Sequence, residues 1–233
     1  MSDAHTALIV GAGKGLSASL ARLLAKEGMH VALAARNTEK LAGLVEETGA
    51  LAIAGDASEP SDVERLFATL EAKWGVPDLV VYNANTRTRG AITGLDPAEV
   101  ERALKGSAFA GFLVGQAAAK AMLPRGNGSI FFTGASASIK GFANSSAFAM
   151  GKFALRGLAQ SMARELGPQG IHVAHFVIDG GIRSSANDAR GAQRGPDGLL
   201  LPDEIAKSYL HVHQQQRSAW SWEIDLRPWA EKF

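Results

Sequence analysis

Gly11-Ala12-Gly13-Lys14-Gly15 follows directly on the apolar run 7–10 and leads straight into Leu16, Leu20, Leu23 and Leu24 at helical spacing. A glycine turn between a strand and a helix lets the backbone approach a diphosphate, whose charge is stabilised by free amides and by the positive end of the helix. Gly11, Gly13, Lys14, Gly15 and Leu16 are therefore candidates for holding a dinucleotide; a tight structural turn is the plainer alternative. A dinucleotide site also reads the adenosine ribose at the end of the second strand, with an acid for a free 2′-hydroxyl or a base for a 2′-phosphate. That place holds Ala35-Arg36, 25 positions after Gly11 in the case of Arg36, with no Asp or Glu beside it. The expected cofactor is NADP(H) in preference to NAD(H), with Lys14 as a second positive charge toward the same phosphate. Asp56-Ala57 and Asn83-Ala84 follow the third and fourth apolar runs, where the carboxyl edge of a parallel sheet meets its ligand. A helix cap for Asp56 and a turn residue for Asn83 are the ordinary alternatives.

Such residues need a scaffold that gathers strand ends along one edge. Short apolar runs at 7–10, 30–35, 50–54, 79–82, 129–133 and 171–178 alternate with helical patterns beginning at 16 and at about 39–47, 60–73, 97–122 and 145–166. Runs buried on both faces look continuously apolar, and strands separated by helices call for right-handed crossovers. The expectation is a doubly wound, Rossmann-like α/β sandwich of three layers, with a seven-stranded, mainly parallel sheet in a single domain, 1–233. Residues 184–200, SSANDARGAQRGPDGLL, carry Gly, Pro, Asn and Asp that disfavour helix or strand. They read as a mobile substrate-side loop, with a plain surface excursion as the alternative. Residues 202–233 read as a helix to about 216, then a strand in which Trp220, Trp222, Ile224 and Leu226 alternate with polar residues, then an aromatic tail. That tail packs on its own core or forms a subunit interface.

With these positions in place, the chain resembles the short-chain dehydrogenase/reductase family from about residue 6 to 184. Gly11, Gly15 and the following helix are similar to its glycine motif, with Ser17 where a third glycine is usual. Arg36 stands where that family commonly selects NADP, and Asp56 resembles its adenine-contacting acid. Tyr82-Asn83-Ala84-Asn85 is similar to its Asn-Asn-Ala-Gly turn. Phe148 to Lys152 resembles the helix that bears its Tyr-x-x-x-Lys pair, and Asp179-Gly180-Gly181-Ile182 falls where a Pro-Gly and nicotinamide-contacting turn is expected. The resemblance implies an oxidoreductase moving hydride to or from a carbonyl or alcohol. It also implies departures at the catalytic positions: Phe148 for the Tyr, Ala135 for the Ser with Ser136 beside it, and Ser107 for the Asn. Of the four, Lys152 is kept; the resemblance implies that it binds the nicotinamide ribose and lowers the Tyr pKa, and without the Tyr the first role can persist while the second cannot. Phe has no proton to give, so a carbonyl oxygen must be protonated by another group. Lys152 and then Ser136 are the candidates; Ser145, Ser146 and Tyr82 have plainer readings as helix caps and a packed strand end.

Several classes are disfavoured. The 24 Lys and Arg against 23 Asp and Glu leave a net charge of +1, which creates no field for nucleic acid or an anionic membrane. Without cysteine there is no thiolate metal site or disulfide, which fits a reducing, cytoplasmic setting. His172 and His175 differ by an odd number and point to opposite faces of a strand, and His211 and His213 are not helical neighbours, so no metal site is expected. The readings that remain are an NADP(H)-dependent oxidoreductase with a non-standard proton donor acting on a small carbonyl or alcohol, as a homodimer or homotetramer; a catalytically silent NADP(H)-binding sensor or partner protein; and, third, a non-redox enzyme on the same scaffold.

Overall fold

The computed structural model describes residues 5–185 and 188–231. Four strands that are buried along their whole length form the middle of the sheet: β1 (Thr6–Val10), β4 (Leu79–Tyr82), β5 (Gly128–Thr133) and β6 (Ile171–Ile178). Their largely apolar sequences follow from helices covering both faces. With β2 (His30–Ala35), β3 (Leu51–Ala54) and β7 (Glu223–Leu226) they make one seven-stranded sheet of order β3-β2-β1-β4-β5-β6-β7. Every pairing is parallel, which sharpens the mainly parallel expectation. The chain steps outward from β1 to β3 and then returns to add β4 on the other side of β1. The resulting switch point opens a crevice at the carboxyl ends of β1 and β4.

One face is covered by α1 (Leu16–Lys26), α2 (Ala42–Thr48) and α8 (Pro202–His213), which bury Leu20, Leu24, Ile205 and Tyr209 against Ile9, Leu33 and Phe176. The other is covered by α3 (Pro60–Trp74), α5 (Ala110–Met122) and α6 (Ser146–Leu166), with α4 (Pro97–Leu104) packed on α6. Each fully buried Leu or Phe contributes about 1.5–3 kcal/mol relative to exposure. Tyr209 stacks on Phe176 at 3.6 Å between centroids and shares a 2.8 Å hydrogen bond with Thr133 Oγ1, so the polar end of a buried ring is satisfied.

The structure differs from the sequence expectations at four places. The pattern 97–122 is helical throughout, as expected, but not uniformly so: a π segment over Lys105–Phe109 lies between α4 and α5. There the Tyr82 hydroxyl donates to the carbonyls of Gly106 and Ser107, at 3.1 and 2.9 Å, in competition with the ordinary ladder. Residues 184–200 are not devoid of regular structure: α7 (Ala189–Arg194) lies inside them, and Leu200 bridges back to Ile182. The cause is Asp188, whose carboxylate accepts from the backbone N–H of Ser184 and of Arg190 and so caps the helix. Residues 186–187 of that stretch, and 232–233 of the tail, lie outside the described residues. The helix expected to reach 216 ends at His213, and the strand expected over 220–227 is confined to Glu223–Leu226. Trp220 stacks on His172 at 4.6 Å, and Trp222 lies under the Arg156 guanidinium, so these two rings do not extend the strand's own face.

Candidate active site

At the switch point, a cleft of about 640 Å³ runs along the ends of β1, β2, β3 and β4. Gly11 turns the chain out of β1 with φ +85°, and a Cβ there would lie 2.5 Å from Ala84 Cα. Only glycine meets both conditions. Gly15 has φ +87°, which by itself favours glycine, whereas at Gly13 the backbone is ordinary and a Cβ would meet nothing within 4 Å. A ligand passing close to the backbone at the N-terminus of α1 would account for Gly13, and the residues fit a dinucleotide diphosphate. Leu16 is buried as the first residue of α1 and supports the turn from within.

Ser17, read from the sequence only as a missing glycine, is a bracket. Its hydroxyl donates to Gly11 O at 3.2 Å and accepts from Asn83 Nδ2 at 2.7 Å, tying the glycine turn to the end of β4. Asn83 is thereby a positioned side chain that lines the cleft together with Ala84. Asp56 accepts from both the N–H and the hydroxyl of Ser58, at 2.9 and 2.7 Å. Burial raises its pKa, but these bonds and the Arg36 charge outweigh burial and hold the carboxyl below its usual range. Asp56 is not the helix cap, since Glu59 stands at the N-cap of α3; it closes a turn onto Ser58 and lines the cleft with Ala57. Arg36 and Lys40 line the ribose end, whereas Lys14 is exposed and is not among the lining residues. Lys40, four residues beyond Arg36, is a second positive charge along this wall.

A second cleft of about 640 Å³ adjoins the first at Asn83 and Asn85 and is walled by the ends of β5 and β6, the start of α6 and α7. Lys152 forms part of its wall, 3% exposed, and donates to Thr133 O at 2.7 Å. Burial, with Arg87 nearby, brings its pKa down to about 7. Phe148 lies one turn earlier on α6, and the Arg87 guanidinium sits over its ring at 4.4 Å from the centroid. Ser107 is buried, donates to Ala103 O at 2.6 Å and is packed against Gly151, so its hydroxyl is committed inside the helix pair. Ala135 and Ser136 both line the cleft, and the Ser136 hydroxyl is hydrogen-bonded to Asp179. Asp179 is 2% exposed and lies 3.3 Å from Lys140 Nζ and 3.7 Å from Arg227. Burial raises its pKa, and the bonds from Ser136 and Lys140 outweigh this and keep it ionised. Gly180 and Ile182 continue the wall.

Tyr82 stays apart from the chemistry, fully buried behind the cleft. Ser145 stands at the N-cap of α6 without the side-chain cap bond expected of it and lines the second cleft. His172 and His175 do point to opposite faces: His172 stacks on Trp220, and His175 Nδ1 donates to Glu223 Oε2 at 3.1 Å. Burial pushes the His175 pKa down to about 4, and its Nε2 lies beneath Gly134 with no hydrogen-bond partner among the described residues. The sequence reading missed Lys40, Arg87, Arg89 and Lys140. The Arg87-x-Arg89 pair carried a usable signal, because it follows the fourth strand on the ligand edge.

Residues 5–195 match the family described as short chain dehydrogenase. The chain belongs to that family. A short-chain dehydrogenase from Rhodopseudomonas palustris is 34% identical and superposes with a TM-score of 0.83, covering 97% of this chain and 99% of that one. A sepiapterin reductase from Chlorobaculum tepidum is 28% identical over 96% of each chain. A metagenomic short-chain oxidoreductase in complex with NADP is 26% identical with a TM-score of 0.82, covering 96% of this chain and 97% of that one. The family is one of oxidoreductases, and the metagenomic relative holds NADP. No helix among the described residues is long and apolar enough to cross a membrane.

Proposed function

We propose that this oxidoreductase moves hydride between NADP(H) and a carbonyl or alcohol carbon of a small molecule, with Lys152 in place of a tyrosine as the group that gives and takes the proton. The observation that carries this reading is the Lys152 ammonium, buried in the wall of the second cleft with a pKa of about 7. An acid–base group works best when its pKa lies near the operating pH, and an ordinary lysine does not meet that condition. The cofactor, when bound, supplies or accepts the hydride. The chain does the rest. Gly11 to Gly15 and the amides of α1 hold the diphosphate, Arg36 and Lys40 hold the 2′-phosphate, and Asp56, Ala57, Asn83 and Ala84 bracket the adenosine half. Asp179, Gly180 and Ile182 border the nicotinamide end.

In this reading Phe148 and Ala135 stand at the family's Tyr and Ser positions and cannot exchange a proton. Ser136 is the weaker candidate, because its hydroxyl is engaged by Asp179. Lys152 keeps its hold on Thr133 O while its proton goes to the substrate oxygen in reduction and returns in oxidation. Residues 184–200 form the substrate side of the cleft, supported by Arg190 and Arg194 along its wall. We also propose a homodimer or homotetramer, supported by the exposed Phe112, Met150 and Phe153 of α5 and α6, to be checked by light scattering.

The test is single-turnover oxidation of bound NADPH against a panel of carbonyl compounds, for the native chain and for Lys152→Met. Oxidation by the native chain that falls at least 100-fold in the variant supports the reading. Tight NADPH binding with no oxidation by any carbonyl points instead to the silent sensor, which the joint absence of Tyr, Ser and Asn would then explain.

A further inference from the structure

Arg87 and Arg89 enter the second cleft from the loop that follows β4. Neither makes a hydrogen bond or ion pair with an acid among the described residues. The acids around the cleft are already matched: Asp179 by Lys140 and Arg227, Glu231 by Arg194 at 2.8 Å, and Asp188 by Arg190 at 2.6 Å. Two guanidiniums that cannot lose their protons therefore stand in one cleft without a counter-charge. They are close enough to act on each other, because burial and then the Arg89 charge lower the Arg87 pKa. Both side chains are exposed, so water screens part of this repulsion, and an anion arriving between them relieves what remains.

Phe148 explains how Arg87 is held. Its ring face attracts the guanidinium at 4.4 Å without supplying an oxygen, so the planar fork of N–H donors stays available. A tyrosine or an acid at this position would offer those donors an acceptor. The planar fork matches the two oxygens of a carboxylate or a phosphate, and such bidentate pairs are short, directional and strong.

We propose that the second cleft takes an oxyanion borne by the substrate, a carboxylate or a phosphate, clamped by Arg87 and Arg89 over the Phe148 ring. This names the substrate class of the oxidoreductase proposed above, and it rests on that reading only for the word substrate. The anionic group lies at Arg87 and the reacting carbon within reach of Lys152, so the compound carries its oxyanion a few bonds from its carbonyl or hydroxyl. The clamp selects by charge, because a neutral compound of the same shape leaves both guanidiniums without a counter-charge.

The test is calorimetric titration of the protein saturated with NADP+, which has no hydride to give the carbonyl probes and keeps the cofactor's own phosphates from competing. Two matched pairs serve as probes: phenylglyoxylate with its methyl ester, and dihydroxyacetone phosphate with dihydroxyacetone. The anion of at least one pair is expected to bind at least tenfold more tightly than its neutral partner; which pair it is separates carboxylate from phosphate. Arg87→Gln and Arg89→Gln should each weaken that anion by about 10- to 100-fold and leave the neutral compound within about twofold. Arg87→Lys, which keeps the charge and loses the fork, should fall between. Equal binding of anion and neutral partner, no binding of either anion, or anion binding unchanged in both Gln variants overturns the proposal. Anion binding that depends on Arg87 with no oxidation of NADPH leaves this inference standing and refutes the proposed turnover, so the two failures are distinguishable.

Discussion

Replacing Lys152 by Met removes a buried amine while keeping a side chain of similar length, and the consequence depends on pH in a calculable way. In the folded chain the amine releases its proton at about 7; unburied, it does so at 10.5. Between these values the unfolded chain binds one proton more than the folded chain, so the native protein gains stability as pH rises. Below about 7 and above 10.5 this contribution is flat. The slope approaches about 1.4 kcal/mol per pH unit, and the whole interval corresponds to about 5 kcal/mol. Lys152→Met abolishes this slope. It also leaves Thr133 O without its 2.7 Å donor, which costs about 1–3 kcal/mol at every pH. Urea unfolding of both proteins at pH 6.5, 7.5, 8.5 and 9.5 separates the two effects, because subtraction cancels all other titrating groups. The native protein should gain about 2–3 kcal/mol relative to the variant between pH 7.5 and 9.5. A difference that stays constant over that range means that Lys152 remains charged, and the reasoning that makes it the proton donor at neutral pH then fails. In the native enzyme the rate of carbonyl reduction should fall about tenfold per pH unit above 7, as the protonated amine is depleted.

Arg36→Ala should raise the dissociation constant for NADPH by about 10- to 100-fold and leave NADH binding nearly unchanged, as read from nicotinamide fluorescence. Lys40→Ala should act in the same direction, because both side chains line the ribose end of the cleft; Lys14→Ala should have the smaller effect. Gly11→Ala should lower stability by about 2–4 kcal/mol in thermal unfolding, since it combines a left-handed φ with overlap on Ala84. Phe148→Tyr should raise single-turnover reduction about tenfold if the pocket is otherwise competent, and an unchanged rate would mean that Arg87 has taken the new hydroxyl as an acceptor.

Much of the nucleotide half was legible in the sequence because its determinants are local. Continuously apolar runs announce strands covered on both faces, and the glycine turn sits between one such run and a helical repeat. Arg36 stands one residue past the end of its strand, so its place on the wall of the first cleft follows from counting. The rest depends on residues far apart in sequence. Asp188 caps α7 through neighbours that composition marked as loop formers, because capping is decided by which N–H points at which carboxylate. The π turn follows from Tyr82 reaching Gly106 and Ser107, and the bracket at Ser17 from Asn83, 66 positions away.

By itself, then, the sequence determined the strand and helix order, the parallel doubly wound sheet and the dinucleotide edge, since periodicity and glycine placement act over a few residues at a time. Only the tertiary structure decided that Lys152 is buried deeply enough to titrate near neutrality and that Asp179 is matched by Lys140 and Arg227. It likewise decided that Arg87 rests on Phe148 with no acid among the described residues to answer it. Burial and charge balance at a site are sums over all surrounding elements, and no single stretch of chain contains those sums.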